Sequence, residues 1–334
     1  MACPPVSIVI PNYNGELLLP RSLTKVYEAV QDYPGIAEVI VVDDGSKDRS
    51  VLLVQQGFPD TRIILHPVNQ GFSEAVMTGV MNSSHEIVIL LNSDVYPYRD
   101  FIEPLMRRFD RPDTFSVSPL VCNLQGTPTK ISWNLPKIVR GNIRREKWKT
   151  EALSRAQRDG QPLLSLFASG GSMAFRKSMF LELRGFLPLY KPFYREDRDL
   201  GTRAWKRGWK TYCEPLSRVI HDHSGTSTIR RHFSALKVHF ISSRNKFIYL
   251  WLHLSPRTLV FSHLPWLIPR LLGRLAILDV PFVMGFFAAI TSVREIYQLR
   301  SSWKRDGHAV YLDDLSETIK QGRERTHACQ GDHV

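Results

Sequence analysis

The first hundred residues alternate between short apolar runs and stretches in which apolar positions have helical spacing. Runs of four to six mainly apolar residues predict strands at 6–10, 38–42, 62–65 and 86–91. Apolar residues that recur every three or four positions predict helices at 16–30 and 73–81. Buried strands alternating with helices are typical of a parallel sheet covered on both faces. The expected fold class is therefore α/β, with a mostly parallel central sheet flanked by helices.

This regular alternation ends after residue 100. Residues 125–161 combine several basic side chains with few acids, which predicts either a solvated surface segment or a flap that faces an acceptor. Strand-like character returns at 167–175, and the spacing at 197–208 predicts a helix. Residues 307–334 are expected to form a polar, partly disordered tail.

The segment 229–306 is unusual because it is both apolar and basic. Residues 230–306 hold 12 Lys and Arg against 3 Asp and Glu, so nine of the twelve net positive charges lie there. Its most apolar window contains Asp279, Pro281 and Gly285, whereas a membrane-spanning helix needs about 20 mostly apolar residues. We therefore expect a helical extension that lies in a membrane interface. An ordinary helical subdomain and a membrane span are the alternatives.

Overall composition narrows the class of protein. With 43% hydrophobic residues, the 334-residue chain can bury a sizeable core and is not expected to be disordered. Its net charge of +12 predicts an anionic partner, which can be nucleic acid, a phosphorylated substrate or a membrane. The position of the charge favours an anionic membrane surface over nucleic acid. Four scattered cysteines and the lack of a signal-peptide pattern favour a cytoplasmic protein, peripheral at the inner face of the cell membrane.

Polar residues collect where three of the predicted strands end. They are Asn12 and Asn14, Asp43 and Asp44, and Asn92 and Asp94. In open parallel sheets ligands bind outside the carboxyl ends of the strands, so one binding site is expected there. The sequence lacks the dinucleotide fingerprint, the P-loop, the nucleophile elbow and the zinc-protease motif. These gaps argue against dehydrogenases, P-loop nucleotidases, esterases and zinc proteases.

Six short motifs follow one another along the chain: PNYN at 11–14, VVDDGS at 41–46, NQGFSEA at 69–75, LLNSD at 90–94, GGSM at 170–173 and EDRDL at 196–200. In this order and spacing they resemble family 2 glycosyltransferases, which are nucleotide-sugar-dependent enzymes of GT-A fold. The resemblance covers roughly residues 5–228 and is greatest to bacterial rhamnosyltransferase-type enzymes of cell-surface polysaccharide assembly. It implies a catalytic domain at 1–228, with a nucleotide-sugar-binding half at 1–100 and an acceptor half at 101–228.

The resemblance also implies residues for the donor. Asp43, or Asp44 beside it, would accept a hydrogen bond from a uracil or thymine N–H, and the family analogy favours Asp43. The rest of the base and ribose pocket would be shaped by Pro11, Asn12 and Asn14. Asn69 and Gly71 would lie near the donor. The alternative for these segments is a structural turn followed by a helix cap, at Ser46 or Ser73.

A divalent cation is expected at the fourth strand. Asn92, Ser93 and Asp94 occupy the place of the family's D-x-D motif, with Asn replacing the first acid. Asp94 would hold Mg²⁺ or Mn²⁺ against the donor diphosphate, and an Asn carbonyl oxygen is a suitable further ligand. His221 is the expected second metal ligand, with His223 as the alternative.

Catalytic residues are expected at Glu196 and Asp197, which match the family's acid pair. Asp197 is the expected base that takes the proton of an acceptor hydroxyl, and in-line attack would invert the anomeric centre. Glu196 would contact the acceptor or orient the loop, whereas Asp199 is expected to be structural. Arg195, Arg198 and Arg203 would bind an acceptor phosphate or pair with nearby acids.

The predicted function is an inverting glycosyltransferase with a glycan or lipid-linked acceptor. A polyprenyl-phosphate glycosyl synthase and a noncatalytic sugar-binding module are the alternatives.

Overall fold

The computed structural model describes residues 3–146, 150–222 and 233–328. Its centre is a nine-stranded sheet in the order β3-β2-β1-β4-β10-β6-β11-β5, with β9 beside β11. The strands are β1 (Val6–Asn12), β2 (Ala37–Asp43), β3 (Arg62–Leu65), β4 (Ile87–Leu91), β5 (Val95–Pro97), β6 (Thr114–Cys122), β9 (Leu163–Ser165), β10 (Ser172–Arg176) and β11 (Lys210–His221). A separate hairpin consists of β7 (Pro136–Val139) and β8 (Asn142–Arg145).

The helices before residue 210 are α1 (Leu19–Asp32), α2 (Ser50–Gly57), α3 (Phe72–Asn82), α4 (Ile102–Met106), α5 (Thr150–Asp159), α6 (Lys177–Glu182) and α7 (Glu196–Lys206). Those after it are α8 (Ala235–His253), α9 (Pro256–Thr258), α10 (Leu264–Ala276), α11 (Val280–Ile290), α12 (Val293–Arg305) and α13 (Leu312–Ala328), with a π-helical turn at Leu259–His263. The strands and helices predicted in the first hundred residues are all present, with ends that differ by up to three residues.

Strand direction divides the sheet into two parts. β1 to β4 are mutually parallel, so that Ile8 lies opposite Val39 on one side and Ile89 on the other. β10 is antiparallel to both of its neighbours, and β11 is parallel to β6 but antiparallel to β5 and β9. The α/β fold class is confirmed, and its sheet is mixed. Parallel neighbouring strands need a long crossover connection. Before residue 100 each pair of consecutive strands from β1 to β4 is joined by a helix, and after it this regular alternation ends.

Alternate residues of β1 are buried on opposite faces of the sheet. Ile8 and Ile10 join the apolar cluster that includes Leu23 of α1. Val9 joins the second cluster, which includes Val76 of α3. This two-sided burial explains why the strand lacks a polar face.

The C-terminal helices share one apolar core with the sheet domain. A single cluster of buried residues includes Trp133 and Phe167 from the first part and Phe247, Phe282 and Leu312 from the second. Gly285 allows α11 to approach α8 closely. A Cβ at this position would be only 2.8 Å from the Ser243 Cβ. Helix α8 is therefore packed within the fold, and the core continues across the predicted boundary at 228.

Two further segments differ from simple surface coil. The hairpin β7–β8 docks on the C-terminal helices, where His263 Nδ1 lies 2.6 Å from the carbonyl oxygen of Gly141. The predicted polar tail contains α13, whose Leu312, Leu315 and Ile319 are buried. In this helix only every third or fourth residue is apolar, and the tail therefore looks polar in composition while it buries one face.

Within the described ranges, no single helix combines the length and apolar composition needed to cross a bilayer. Helices α11 and α12 meet those criteria only as a pair, and they are bent by 57° at their junction.

Candidate functional site

The turn after β2 is joined to the end of β1 by side-chain hydrogen bonds. The buried Asn12 donates from Nδ2 to Asp43 Oδ1 at 2.8 Å and to Ser50 Oγ at 3.0 Å. Ser46 donates its hydroxyl to Asp43 Oδ1 at 2.5 Å and its N–H to Asp43 Oδ2 at 3.0 Å. The Ser46 hydroxyl in turn accepts from the Asn14 N–H at 2.8 Å. Pro11 is buried beside them, so these predicted donor residues form one preorganised corner.

Asp44 holds the loop between β3 and α3. Its two carboxylate oxygens accept from the backbone N–H groups of Gln70 at 2.9 Å and Gly71 at 2.8 Å, and His66 Nδ1 lies 2.8 Å from Oδ1. Gly45 has φ +74°, and an added Cβ would be 2.8 Å from the Asn69 nitrogen. The VVDDGS turn therefore packs directly on the segment that contains Asn69 and Gly71.

Gly71 rather than Ser73 precedes the first turn of α3. The helix begins at Phe72, and Gly71 occupies the cap position with φ +95° and no side-chain cap hydrogen bond. A left-handed φ favours glycine, since other residues are strained there. A Cβ at Gly71 would meet no atom within 4 Å, so this position faces open space.

The predicted metal residues meet at the junction of β4, β5 and β11. Asp94 Oδ1 lies 3.3 Å from His221 Nε2, and His221 is paired in register with Val95 of β5. Two buried oxygens, Asn92 Oδ1 and Asp94 Oδ1, have no hydrogen-bond partner in the described part of the chain. His223 lies outside the described residues.

These donors match the chemistry of a hard divalent cation in part. Carboxylate and amide oxygens together with an imidazole suit Mg²⁺ or Mn²⁺. Among the described residues, no group of three His, Cys, Asp or Glu side chains could hold a metal ion by itself. Asp94, Asn92 and His221 thus offer too few coordinating groups for a divalent cation. A bound diphosphate could supply the remaining oxygens.

The glycine pair at 170–171 links this junction to the start of α7. The Gly171 carbonyl accepts from the Asn92 N–H at 2.9 Å, and a Cβ at Gly171 would be 3.3 Å from the His221 ring. The Gly170 N–H lies 3.3 Å from Asp197 Oδ2, which accepts its hydrogen bond. Asp197 is therefore brought beside the predicted metal residues, and side chains on the two glycines would crowd this contact.

Glu196 lies in a different environment from Asp197. Its Oε2 is buried and has no partner among the described residues. Burial first, and then the charge of Asp197, raise the pKa of Glu196 to about 8. Glu196 is accordingly mostly protonated at neutral pH, and in that form it cannot accept a further proton.

The loop before α7 is fixed by α8, a contact that the sequence-based reasoning missed. Asn245, fully buried, donates from Nδ2 to the carbonyl oxygens of Tyr190, Phe193 and Tyr194 at 2.7, 2.8 and 3.0 Å. Tyr194 and Arg195 have φ of +73° and +82°, a backbone shape that non-glycine residues seldom adopt. The sequence carries no clear signal for this contact, because Asn245 stands between two basic residues in a helix that also carries other polar residues.

The arginines near the acid pair have different surroundings. Arg203 pairs with the buried Asp199 at 2.6 Å, and Asp199 also lies 2.8 Å from His253 Nε2. Burial alone would raise the pKa of Asp199, but Arg203 and His253 lower it overall. The guanidinium groups of Arg195 and Arg198 have no carboxylate oxygen within 4 Å in the part of the chain that the structure describes.

The fold is similar to that of solved glycosyltransferases. A crystal structure of GalNAc-T7 with UDP, GalNAc and Mn²⁺ has a TM-score of 0.56 at 16% identity, over 76% of this chain and 48% of that one. The mannosyltransferase PcManGT from Pyrobaculum calidifontis, in complex with GDP-Man and Mn²⁺, has a TM-score of 0.52 at 17% identity, over 98% of this chain and 86% of that one. The expected GT-A-type fold is confirmed.

Sequence comparison identifies the family. The family model described as glycosyl transferase family 2 matches residues 7–184, more than half of the chain. Over 226 residues the chain is 27% identical to the N-acetylglucosaminyl-diphospho-decaprenol L-rhamnosyltransferase of Mycobacterium tuberculosis (strain H37Rv), covering 61% of this chain and 72% of that protein. The chain therefore belongs to glycosyltransferase family 2, and it is a glycosyltransferase. The predicted similarity to bacterial rhamnosyltransferases is confirmed as well.

Proposed function

We propose that this enzyme transfers a sugar from a nucleoside-diphosphate sugar to a hydroxyl of a lipid-linked acceptor in cell-surface polysaccharide synthesis, with inversion at the anomeric carbon. The observation that carries the proposal is the Gly170–Gly171 link, which joins Asp197 to the group of Asn92, Asp94 and His221. The candidate proton acceptor and the candidate cation ligands thus contact two consecutive glycines. Direct displacement of a diphosphate by a hydroxyl needs this pairing of groups.

The donor base is assigned to the corner formed by Asn12, Asp43 and Ser46. An ionised carboxylate offers about four lone-pair positions. Asn12 and Ser46 use three of them on Asp43, so one remains for a base N–H. Pro11 and Asn14 complete the pocket for base and ribose. Asp44 acts indirectly, because it holds Asn69 and Gly71 at the edge of this pocket.

Asp94, Asn92 and His221 would hold Mg²⁺ or Mn²⁺, with Ser93 in the turn between them facing the donor. The bound cation would stabilise the negative charge that develops on the departing diphosphate. Replacement of the first acid by Asn92 removes one ligand charge, and modest metal affinity is therefore expected.

Asp197 is assigned as the base. Its Oδ1 accepts from the Arg198 N–H at 2.7 Å, and its Oδ2 accepts from the Gly170 N–H. These amides orient the carboxylate that would accept the proton of the acceptor hydroxyl. The protonated Glu196 would act as a hydrogen-bond donor toward the acceptor.

The name of the mycobacterial relative supports an acceptor that is linked to a lipid. An exposed apolar surface on the C-terminal helices supports the same conclusion. This surface, called here the apolar face, comprises Val260, Phe261, Leu264, Trp266, Ile268, Leu272, Leu275, Ile277, Leu278, Met284 and Phe287, each at least 40% exposed. Exposed apolar patches of this kind mark protein or membrane contacts. The basic residues of the same segment favour an anionic membrane surface as the occupant.

The donor assignment is tested by thermal unfolding with a panel of nucleoside-diphosphate sugars, with and without Mn²⁺. A ligand that binds only the folded chain raises the melting temperature by mass action. One nucleoside class should raise it, and the increase should be larger with Mn²⁺. The metal-dependent part should be lost in Asp94→Asn, whereas Asp159→Asn, on the distant helix α5, should behave as wild type. No shift with any donor at millimolar concentration would refute the proposal.

A further inference from the structure

A group of cationic side chains lies beside the catalytic loop and is not explained by the contacts described so far. Arg144 of β8 and Arg198 of α7 line one cavity of about 40 Å³, together with Asn134, Leu135, Pro136, Ile143, Leu166 and Phe167. A cavity of this size holds roughly three water molecules. The Arg198 guanidinium lies 5.3 Å from the centre of the Phe167 ring, so one of its faces is covered by the aromatic side chain.

Arg195 extends the group toward the acid pair. Its Nε and Nη1 atoms are buried and have no hydrogen-bond partner in the described part of the chain. Burial, followed by the charge of Arg198, lowers the pKa of Arg195 to about 9. An unpaired charge in such a position is costly unless an anion compensates it.

Lys246 connects this end of the group to α10. It follows Asn245 on α8, whose amide holds the Arg195 loop. Burial and then the charges of Arg195 and Arg270, among others, lower the pKa of Lys246 to about 8. Arg270 donates to the Arg140 carbonyl at 3.3 Å, so the hairpin that bears Arg144 is adjacent to α10. Within the described residues, no carboxylate oxygen lies within 4 Å of the charged side-chain nitrogens of Arg144, Arg195, Arg198 or Lys246.

Neighbouring arginines differ from this group, because they form ion pairs with carboxylates of the described residues. Arg203 is paired with Asp199, and Arg274 is paired with Asp279 at 2.8 Å. On one side the group borders Glu196 and Asp197 in sequence, and on the other it reaches α10, which carries the exposed Ile268 and Leu272. The cationic group therefore lies between the catalytic acids and the apolar face.

We propose that Arg144, Arg195, Arg198 and Lys246 form a binding site for the diphosphate that joins the acceptor sugar to its lipid. The inference rests on the proposed function, because it assigns the acceptor of that reaction. A guanidinium group can donate two parallel hydrogen bonds to two oxygens of one phosphate, and arginine is therefore a common partner of such anions. The order of acid pair, cations and apolar surface matches the order of sugar, diphosphate and lipid in such an acceptor.

The test is calorimetric binding of farnesyl diphosphate to the full-length protein without added metal, compared with inorganic pyrophosphate and farnesol. Wild type should bind farnesyl diphosphate best and farnesol weakly. Because a hydrogen bond to a charged group contributes about 1.5–3 kcal/mol, Arg198→Gln and Arg144→Gln should each weaken farnesyl diphosphate binding at least about tenfold. Arg158→Gln, which alters an exposed arginine on α5, is the matched control and should bind as wild type.

Three results would overturn the inference. The first is that wild type does not bind farnesyl diphosphate. The second is that Arg198→Gln and Arg144→Gln bind it as tightly as wild type. The third is that wild type binds farnesyl diphosphate and pyrophosphate with equal affinity. Arg144 is exposed on a hairpin, so Arg144→Gln should fold normally even if Arg198→Gln does not. The thermal-shift experiment with donors, run on the same samples, separates the two proposals. A donor shift without farnesyl diphosphate binding refutes only this site, whereas the absence of both refutes the proposed function.

Discussion

At the scale of single residues, the two acids of the EDRDL motif are adjacent in sequence but chemically different. Asp197 is oriented by two backbone N–H groups, whereas Glu196 has a buried oxygen that lacks a partner among the described residues. Burial and the neighbouring Asp197 raise the pKa of Glu196 to about 8, so the two acids have different environments although they are adjacent in sequence.

Replacement of the base should abolish transfer while donor binding is retained. For Asp197→Asn we expect the turnover number to fall by about 10²–10⁴, the usual contribution of a general base. The donor-induced thermal shift should stay as in wild type, because Asp197 is not assigned to the donor pocket. Steady-state transfer kinetics with a lipid-linked acceptor provide the measurement.

The same variant separates two kinds of transferase. A polyprenyl-phosphate glycosyl synthase attacks with a phosphate that is already anionic and needs no base. Near-normal turnover by Asp197→Asn would therefore contradict the assignment of Asp197 and favour that alternative.

Glu196 should give the stability a pH dependence of predictable sign. Its pKa is raised to about 8 in the folded protein from the ordinary glutamate value of 4.5. The stability gained from the protonated carboxyl is therefore fully present below about pH 4.5 and is lost as the pH rises through 8. Glu196→Gln cannot ionise, so its free energy of unfolding should decline less between pH 5 and 9. Urea unfolding at several pH values would measure this, and parallel curves for variant and wild type would contradict it.

At the scale of elements, α7 and α8 position the site together. Asn245 of α8 fixes the loop that precedes α7, and the Tyr249 hydroxyl lies 2.8 Å from the Thr202 hydroxyl. Close contact on the other side of α7 depends on Gly201, where a Cβ would be 2.4 Å from the Phe167 Cβ. The segment that composition marks as a membrane element thus also positions the loop before the candidate catalytic acids.

The buried ion pair within α7, between Asp199 and Arg203, should matter for stability. Asp199→Asn leaves Arg203 buried without its partner, and removal of one member of such a pair costs roughly 3–5 kcal/mol. A matched control is Glu103→Gln, which breaks the exposed pair with Arg107 and should cost less than about 1 kcal/mol. Chemical denaturation of both variants provides the comparison. Equal midpoints would show that the buried network contributes little.

At the scale of the whole molecule, positive charge and exposed apolar area coincide on the C-terminal helices. The apolar face lies on α10, α11 and the turn before them, whereas α8 is packed in the core. Truncation near residue 230 would therefore remove core residues such as Phe247 and Leu250 along with the apolar face. Point substitutions are the appropriate test of membrane binding.

Substitution of the apolar face should weaken binding to anionic vesicles. The double variant Ile268→Glu/Leu272→Glu loses two exposed apolar side chains and adds two negative charges, so we expect at least about tenfold weaker partitioning. Ile36→Glu, at an exposed apolar residue before β2, should bind as wild type. Co-sedimentation with phosphatidylglycerol-containing vesicles at two salt concentrations is the measurement. Equal sedimentation of both variants, or binding unaffected by salt, would contradict a basic membrane face.

The sequence by itself determined the α/β class, the strands and helices of the first hundred residues, and the family. These depend on local periodicity and on short motifs, which the chain carries without reference to distant parts. Only the tertiary structure decided that β10 runs antiparallel, that Asp44 supports a loop, and that Asn245 holds the loop before Glu196. It also decided that the Arg203 guanidinium is paired with Asp199, whereas the guanidinium groups of Arg195 and Arg198 form no ion pair with a carboxylate among the described residues. The physical reason is that each of these depends on partners far away in sequence, and no local pattern encodes which distant backbone or carboxylate a side chain will meet.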